Sequence, residues 1–230
     1  MTRFGIQLRR LGAGATSMEE VAGKVVRAIH EQLVIAPGNE RACALVRTFV
    51  TLPYTQLQPD QQAFATSLMP GVADQPGIKC LTLLATAGDE PDWNSRRTSR
   101  AHIALPLASL ESVARSPMIS QLMQQLDVPM SHLLEPDSGM LLDSDQRTFN
   151  VFHVAKALGS PHIPAQQQFV VPHGIHSVIG FGGLLPPGEL FATILFTRTP
   201  VSREVAELFK TLALNVKVAL LPFSGGKVFS

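Results

Sequence analysis

The chain is 230 residues long, 45% hydrophobic and 16% charged, which is enough apolar material for one large core and too much for global disorder. Its formal net charge of +1 supplies no basic field to attract nucleic acid or acidic lipid. One Trp and one Tyr leave few platforms on which bases could stack. Residues 1–14 carry basic side chains without an apolar run, so they read as a flexible N-terminal arm and not as a secretory signal. No apolar stretch reaches the roughly 18 residues of a membrane span. Cys43 and Cys80 stand at no metal-binding spacing. The expectation is a cytoplasmic, reduced protein with neither membrane nor nucleic acid as partner.

Ser17-Met18-Glu19-Glu20 is a capping box, in which the Ser17 hydroxyl accepts from a first-turn N–H and Glu20 reaches back. Val21, Val25, Ala28, Ile29 and Leu33 then share one helical face. Pro37-Gly38-Asn39 ends that helix. "CALVRTFVTL", ending at Pro53, reads as a strand with two largely apolar faces, hence central in a sheet. Residues 54–77 form an insertion that holds a short helix from Pro59 to about Leu68 and two Pro-Gly breaks. "KCLTLLATA", 79–87, is a second strand. The polar stretch 88–100 reads as an exposed loop, with Arg96, Arg97 and Arg100 near Trp93 as either a solvated cluster or an anion or partner contact. Two helical segments follow, 109–115 and 117–126. Thr148 to Val154 is a short strand, and 155–173, with three prolines, is mostly loop. Ser202 caps a last helix, in which Val205, Leu208, Phe209, Leu212, Val216, Ala219 and Leu220 form one continuous stripe. Residues 223–230 read as a tail.

The stretch "GIHSVIGFGGLLPPGELFATILFTR" poses a choice between a phosphate-gripping loop and a bend in a sheet. A phosphate loop needs glycines between a strand and a helix, so that helix N–H groups aim at the anion. Here Gly180–Gly183 lead into Pro186-Pro187-Gly188-Glu189, which fits a type II turn with Gly188 at the positive-φ position. A second apolar run follows. The stretch therefore predicts a β-hairpin, its glycines marking a bulge or a close backbone approach.

Residues 154–220, "VAKALGSPHIPAQQQFVVPHGIHSVIGFGGLLPPGELFATILFTRTPVSREVAELFKTLALNVKVAL", resemble the C-terminal half of a GAF domain. The features are a loop, a Gly174-Ile175-His176-Ser177 lead-in to a strand, a hairpin and a closing helix; His176 stands where the family usually has Arg. The front half fits more loosely, and the likeness covers residues 15–222, taken as a single domain. The resemblance implies an α+β fold. It consists of an antiparallel sheet flanked by helices, with the N- and C-terminal helices packed on one face and a small-molecule pocket on the other. It also implies a sensory or regulatory role, signalling to a partner or a linked effector, with a homodimer through the terminal helices. The sequence shows no match to the family's cyclic-nucleotide signature, no Cys-His for bilin attachment and no third cysteine for sulfoxide reduction. Kinase glycine boxes, a Walker motif and a helix-turn-helix are also missing, so no enzyme activity is expected and the cofactor, if any, is unknown.

The candidate ligand-binding residues are Met118 and Leu122 on the 117–126 helix, together with Phe149, Phe152, His153, His162, Phe169, His173 and Phe181. The phenylalanines bracket the loop that closes the family's pocket and could equally be core. The histidines supply polar groups. Grouped with His176, they suggest an alternative, a metal- or haem-dependent redox or gas sensor. Residues three apart on a strand face opposite sides, however, so His173 and His176 diverge unless the backbone turns. A third reading is a ligand-free interaction scaffold. The first reading predicts a cavity between the 155–173 loop and the sheet, suited to a small, mostly apolar or aromatic molecule with one polar end.

Overall fold

The computed structural model describes residues 1–75, 77–114, 116–128, 150–186 and 188–230. Its centre is a six-stranded antiparallel sheet. The strands are β3 (Cys43–Pro53), β4 (Lys79–Gly88), β5 (Ala104–Leu107), β6 (Val151–Val154), β7 (Ser177–Leu185) and β8 (Glu189–Thr197), in spatial order β5-β4-β3-β8-β7-β6. Two short strands, β1 (Val34–Ile35) and β2 (Glu40–Arg41), form a separate ribbon across the predicted Pro37-Gly38-Asn39 turn. As its apolar faces predict, β3 is central, pairing with β4 on one side and β8 on the other.

Side chains alternate across β3. Val46 and Val50 enter one core, and Leu45 and Phe49 the other. The first core is covered by α2 (Met18–Gln32) and α7 (Lys210–Leu220), with α1 (Thr2–Arg10) against α7. The Ser17 hydroxyl accepts from the Glu20 N–H at 3.1 Å, while Glu20 reaches back one residue further than a capping box requires, to the Thr16 N–H at 2.8 Å. The buried hydroxyls of Thr48 and Thr193 meet at 2.9 Å on paired positions of β3 and β8. The second core lies under α4 (Leu110–Ala114), α5 (Pro117–Leu126) and the 155–173 loop. Terminal helices on one face of an antiparallel sheet, and loops and shorter helices over the other, are the GAF-like arrangement that the resemblance implied.

The predicted hairpin is β7–β8. It pairs without a register shift from Ser177↔Thr197 to Leu185↔Glu189, so the glycines mark close approach and not a bulge. A Cβ on Gly182 would stand 2.2 Å from the carbonyl oxygen of Phe191, and no side chain fits there. Gly188 has the predicted positive φ, at 108°. The turn is one residue earlier than expected, however: the Gly188 N–H donates to the Leu185 carbonyl, which makes a three-residue loop of 186–188. Pro187 lies outside the described residues. α3 (Pro59–Leu68) forms within the 54–77 insertion and seats Ala65 in the helix-side core.

Four expectations need correction. Residues 1–14 are not a free arm: α1 buries Leu8 fully and packs on α7. The closing helix is two helices, α6 (Arg203–Glu207) and α7, because the backbone tightens to i→i+3 bonding at Leu208 and Phe209. That turn buries Phe209 against Phe181 and leaves Val205 and Leu208 exposed, which breaks the predicted stripe. Residues 223–230 are not a loose tail. Lys227 and Val228 carbonyls accept from the Met18 and Glu19 N–H groups, and Phe229 is buried. Finally, β5 fell in a stretch with no strand prediction; its Pro106 is tolerated because β5 is an edge.

Candidate functional site

On the second face of the sheet is a cavity of about 640 Å³, within the roughly 300–1,000 Å³ span of small-molecule sites. Its floor is the sheet: Leu45, Arg47 and Phe49 from β3, and Ile194 and Phe196 from β8. These positions are two apart and so share a face. One wall is α5, through Met118, Ile119 and Leu122; the second is Pro161 to Ala165 with Phe169; the third is the 92–102 segment. Two non-glycine residues with left-handed backbone, His102 (φ 56°) and Ala165 (φ 56°), line it. Such conformations persist only where the surroundings impose them, so the second and third walls are both shaped by their tertiary contacts.

Aromatic rings meet edge to face along one side. Trp93 lies 5.5 Å from Phe169, and Phe169 5.0 Å from Phe196 at 89°. Polar groups are few. Arg47 extends from the middle of the floor, donating from Nη2 to the Ala101 carbonyl at 3.1 Å, while its Nε is buried without a partner. Burial alone brings its pKa down to about 10, so it stays charged at neutral pH. His102 is pushed below the ordinary histidine value, first by burial and then by the Arg47 charge. The Nδ1 of His162 is buried and unpartnered.

The sequence candidates divide. Met118, Leu122, His162 and Phe169 line the cavity. His173 stands just behind, its ring 4.6 Å from Trp93 and 5.6 Å from Phe169. Phe152 is fully buried in the core on the cavity side but not in the lining. His153 is turned to the sheet edge, where its Nε2 meets the Val201 carbonyl at 2.9 Å and its N–H donates to Gln125 Oε1 at 2.7 Å. Substitutions of Phe152 and His153 therefore act first on packing. Phe181 points to the opposite face and packs with Phe209, 6.3 Å between centroids; strand alternation sends Ile179 and Phe181 to the helix side. Phe149 lies outside the described residues.

The histidines are not brought together, and among the described residues no group of three or more His, Cys, Asp or Glu side chains could hold a metal ion. His176 is exposed, and its N–H donates to the Thr197 carbonyl. Cys43 and Cys80 are free and buried, and burial raises both thiols to about 12. Cys80 pairs with Leu52, at the far end of β3 from Cys43.

The arginine cluster also divides. Arg100 faces Asp92 at 3.7 Å on the surface. Arg96 is buried at 4% exposure, its Nε 2.5 Å from Glu19 and its Nη1 3.3 Å from Asp60, with Phe229 4.9 Å below the guanidinium. It ties the third wall to α2, α3 and the C-terminal segment. Sequence reasoning missed Arg47 because it sits within an apolar strand, although one basic residue between Leu45 and Phe49 was itself the signal.

No protein-family model matches the sequence, and no curated protein matches it. Solved structures similar to the chain include the following two. One is the GAF domain from a phosphoenolpyruvate-protein phosphotransferase of Coxiella burnetii, at 12% identity, with 97% of this chain and 92% of that one covered and a TM-score of 0.49. The other is a bacteriophytochrome from the photosynthetic bacterium R. palustris, at 11% identity and a TM-score of 0.37; 94% of this chain matches 37% of that one. The GAF-like description rests on the strand order and layers given above.

Proposed function

We propose that this chain is a sensory or regulatory domain whose cavity binds a small, mostly apolar or aromatic molecule with one polar end. Occupancy is passed to a partner or a linked effector. The observation that carries this reading is the cavity itself: about 640 Å³, on the sheet face opposite the terminal helices, with few polar groups in a mainly apolar lining. That make-up is the usual one for a receptor site. The role is binding and not catalysis, and the setting is cytoplasmic. Among the described residues no helix is long and apolar enough to cross a membrane. A homodimer through the terminal helices belongs to the same reading, supported by the exposed Ile6 on α1 and Leu214 on the adjoining α7.

Native mass spectrometry of the purified chain tests this directly. The expected spectrum shows a dimer carrying an organic adduct that is lost on denaturation. Trp93, the single tryptophan, lines the cavity, so its emission reports added ligands. A chain without an adduct, whose Trp93 emission is unmoved by a panel of small aromatic compounds, overturns the receptor reading.

A further inference from the structure

We infer that the cavity selects a monocarboxylate with a flat apolar body, the carboxylate seated on Arg47 and the body lying among Phe49, Trp93, Phe169 and Phe196. This rests on the receptor reading above and gives the chemical class of its ligand.

Arg96 and Arg47 make the argument by contrast. Arg96 has two carboxylates and an aromatic ring around it. Arg47, on the central strand between two apolar floor residues, has no ion pair among the described residues; its one hydrogen bond is to a backbone carbonyl. Its Nε has no partner, and the Phe49 ring at 5.8 Å is near the limit of cation–π contact. The Arg47 side chain is half-buried and keeps part of its hydration, so it is tolerated unpaired, and a carboxylate would replace that water with charge-assisted hydrogen bonds. An anion arriving in the cavity would supply the missing partner, and a planar carboxylate matches the guanidinium fork.

The other charged and titratable groups in the lining do not compete. Asp92 and Arg100, which also belong to the lining, face each other at 3.7 Å with side chains 63% and 89% exposed, so both charges stand in water. His102, with its pKa lowered by burial and by Arg47, is neutral near pH 7. His162 lines the cavity, but its Nδ1 is buried without a partner and offers the ligand no charge. One guanidinium suits one carboxylate; a phosphate dianion calls for several donors or a backbone nest, and the floor offers one arginine among apolar side chains. The edge-to-face rings beside it favour an aromatic body over a branched aliphatic one.

The test uses the full chain and three probes sharing one ring and chain length: 3-phenylpropanoate, 3-phenylpropanamide and 3-phenylpropylamine. Binding is read by Trp93 emission and by ligand-observed NMR. The acid is expected to bind about tenfold or more tightly than the amide, and the amine least. Arg47→Met should bind acid and amide equally, and Arg47→Lys should keep part of the preference. If Arg47→Met fails to fold by circular dichroism, the wild-type ratio and Arg47→Lys decide. Acid and amide binding equally to the wild type would sink the carboxylate inference and leave the receptor reading standing. No binding of any of the three would remove both.

Discussion

Arg96→Met tests whether the third wall of the cavity is held from behind. The substitution keeps an unbranched stem, two bonds shorter, and removes the charge, leaving Glu19 and Asp60 without their shared cation. Breaking a buried pair by removing one partner costs about 3–5 kcal/mol. Two facts place this case at the lower end. The Asp60 side chain is 49% exposed and regains water, and Glu19, at 18%, keeps the Ser230 N–H at 3.0 Å as a donor. About 3 kcal/mol is therefore expected, which for a chain of this size lowers Tm by about 6–12 °C. Adding Glu19→Gln should recover part of the loss, because the stranded carboxylate is what makes the single variant costly. The assays are thermal melting by circular dichroism and urea unfolding with an unchanged m-value. Limited proteolysis should cut the last residues faster in the variant, since Phe229 loses its cation. An Arg96→Met protein melting within about 2 °C of the parent would show that the ion pairs carry little, and would refute this account of the wall.

Gly182→Ala should destabilise by about 1–3 kcal/mol or prevent folding, because the new methyl meets a backbone oxygen at 2.2 Å in a register-locked hairpin; an unchanged urea midpoint would refute the close approach. Gly188→Val puts a β-branched residue at φ 108° and should cost roughly 1–3 kcal/mol, checked by the same melt. Cys43 and Cys80 should resist iodoacetamide at pH 8 in the folded chain and react fully in urea. Burial raises both thiols in the folded chain to about 12, above the ordinary cysteine value of about 9, so the unfolded chain ionises first. Their contribution is present below pH 9 and is lost as pH rises from there toward 12, which an alkaline unfolding series will show. Free native thiols that alkylate at the rate of a small peptide would contradict the burial.

The elements with strong local signals were legible. The capping box at Ser17, the apolar runs of β3 and β4 and the hairpin each followed from spacing or turn chemistry. What escaped depended on distant partners. β5 is a strand only because β4 offers it an edge. The stripe ending at Leu220 looked continuous because sequence does not reveal that Phe209 must turn toward Phe181. The cavity was anticipated under the 155–173 loop, and Met118, Leu122, His162 and Phe169 followed from that placement. Phe181 was misplaced by one alternation of the strand. Arg47, His102 and Trp93 belong to segments more than forty positions apart, and only the β3–β4 pairing carries the 92–102 segment back over the floor.

Besides its own backbone hydrogen bonds, the 155–173 wall is tied together by the Gln166 side chain. Gln166 donates to the carbonyls of Ala157 (3.0 Å) and Ile163 (2.8 Å), with the Ser160 carbonyl (3.4 Å) sharing one of the two amide hydrogens, and accepts from the Gly159 N–H (2.9 Å). All four partners belong to the loop itself. Unravelling this wall to admit a ligand would break all four bonds, roughly 2–6 kcal/mol, whereas displacing it as one piece breaks none of them. The conformational entropy of the loop is thus spent during folding and is not charged again when a molecule binds. For the ligand proposed above, a wall moving as one piece would allow entry and exit without a local folding step.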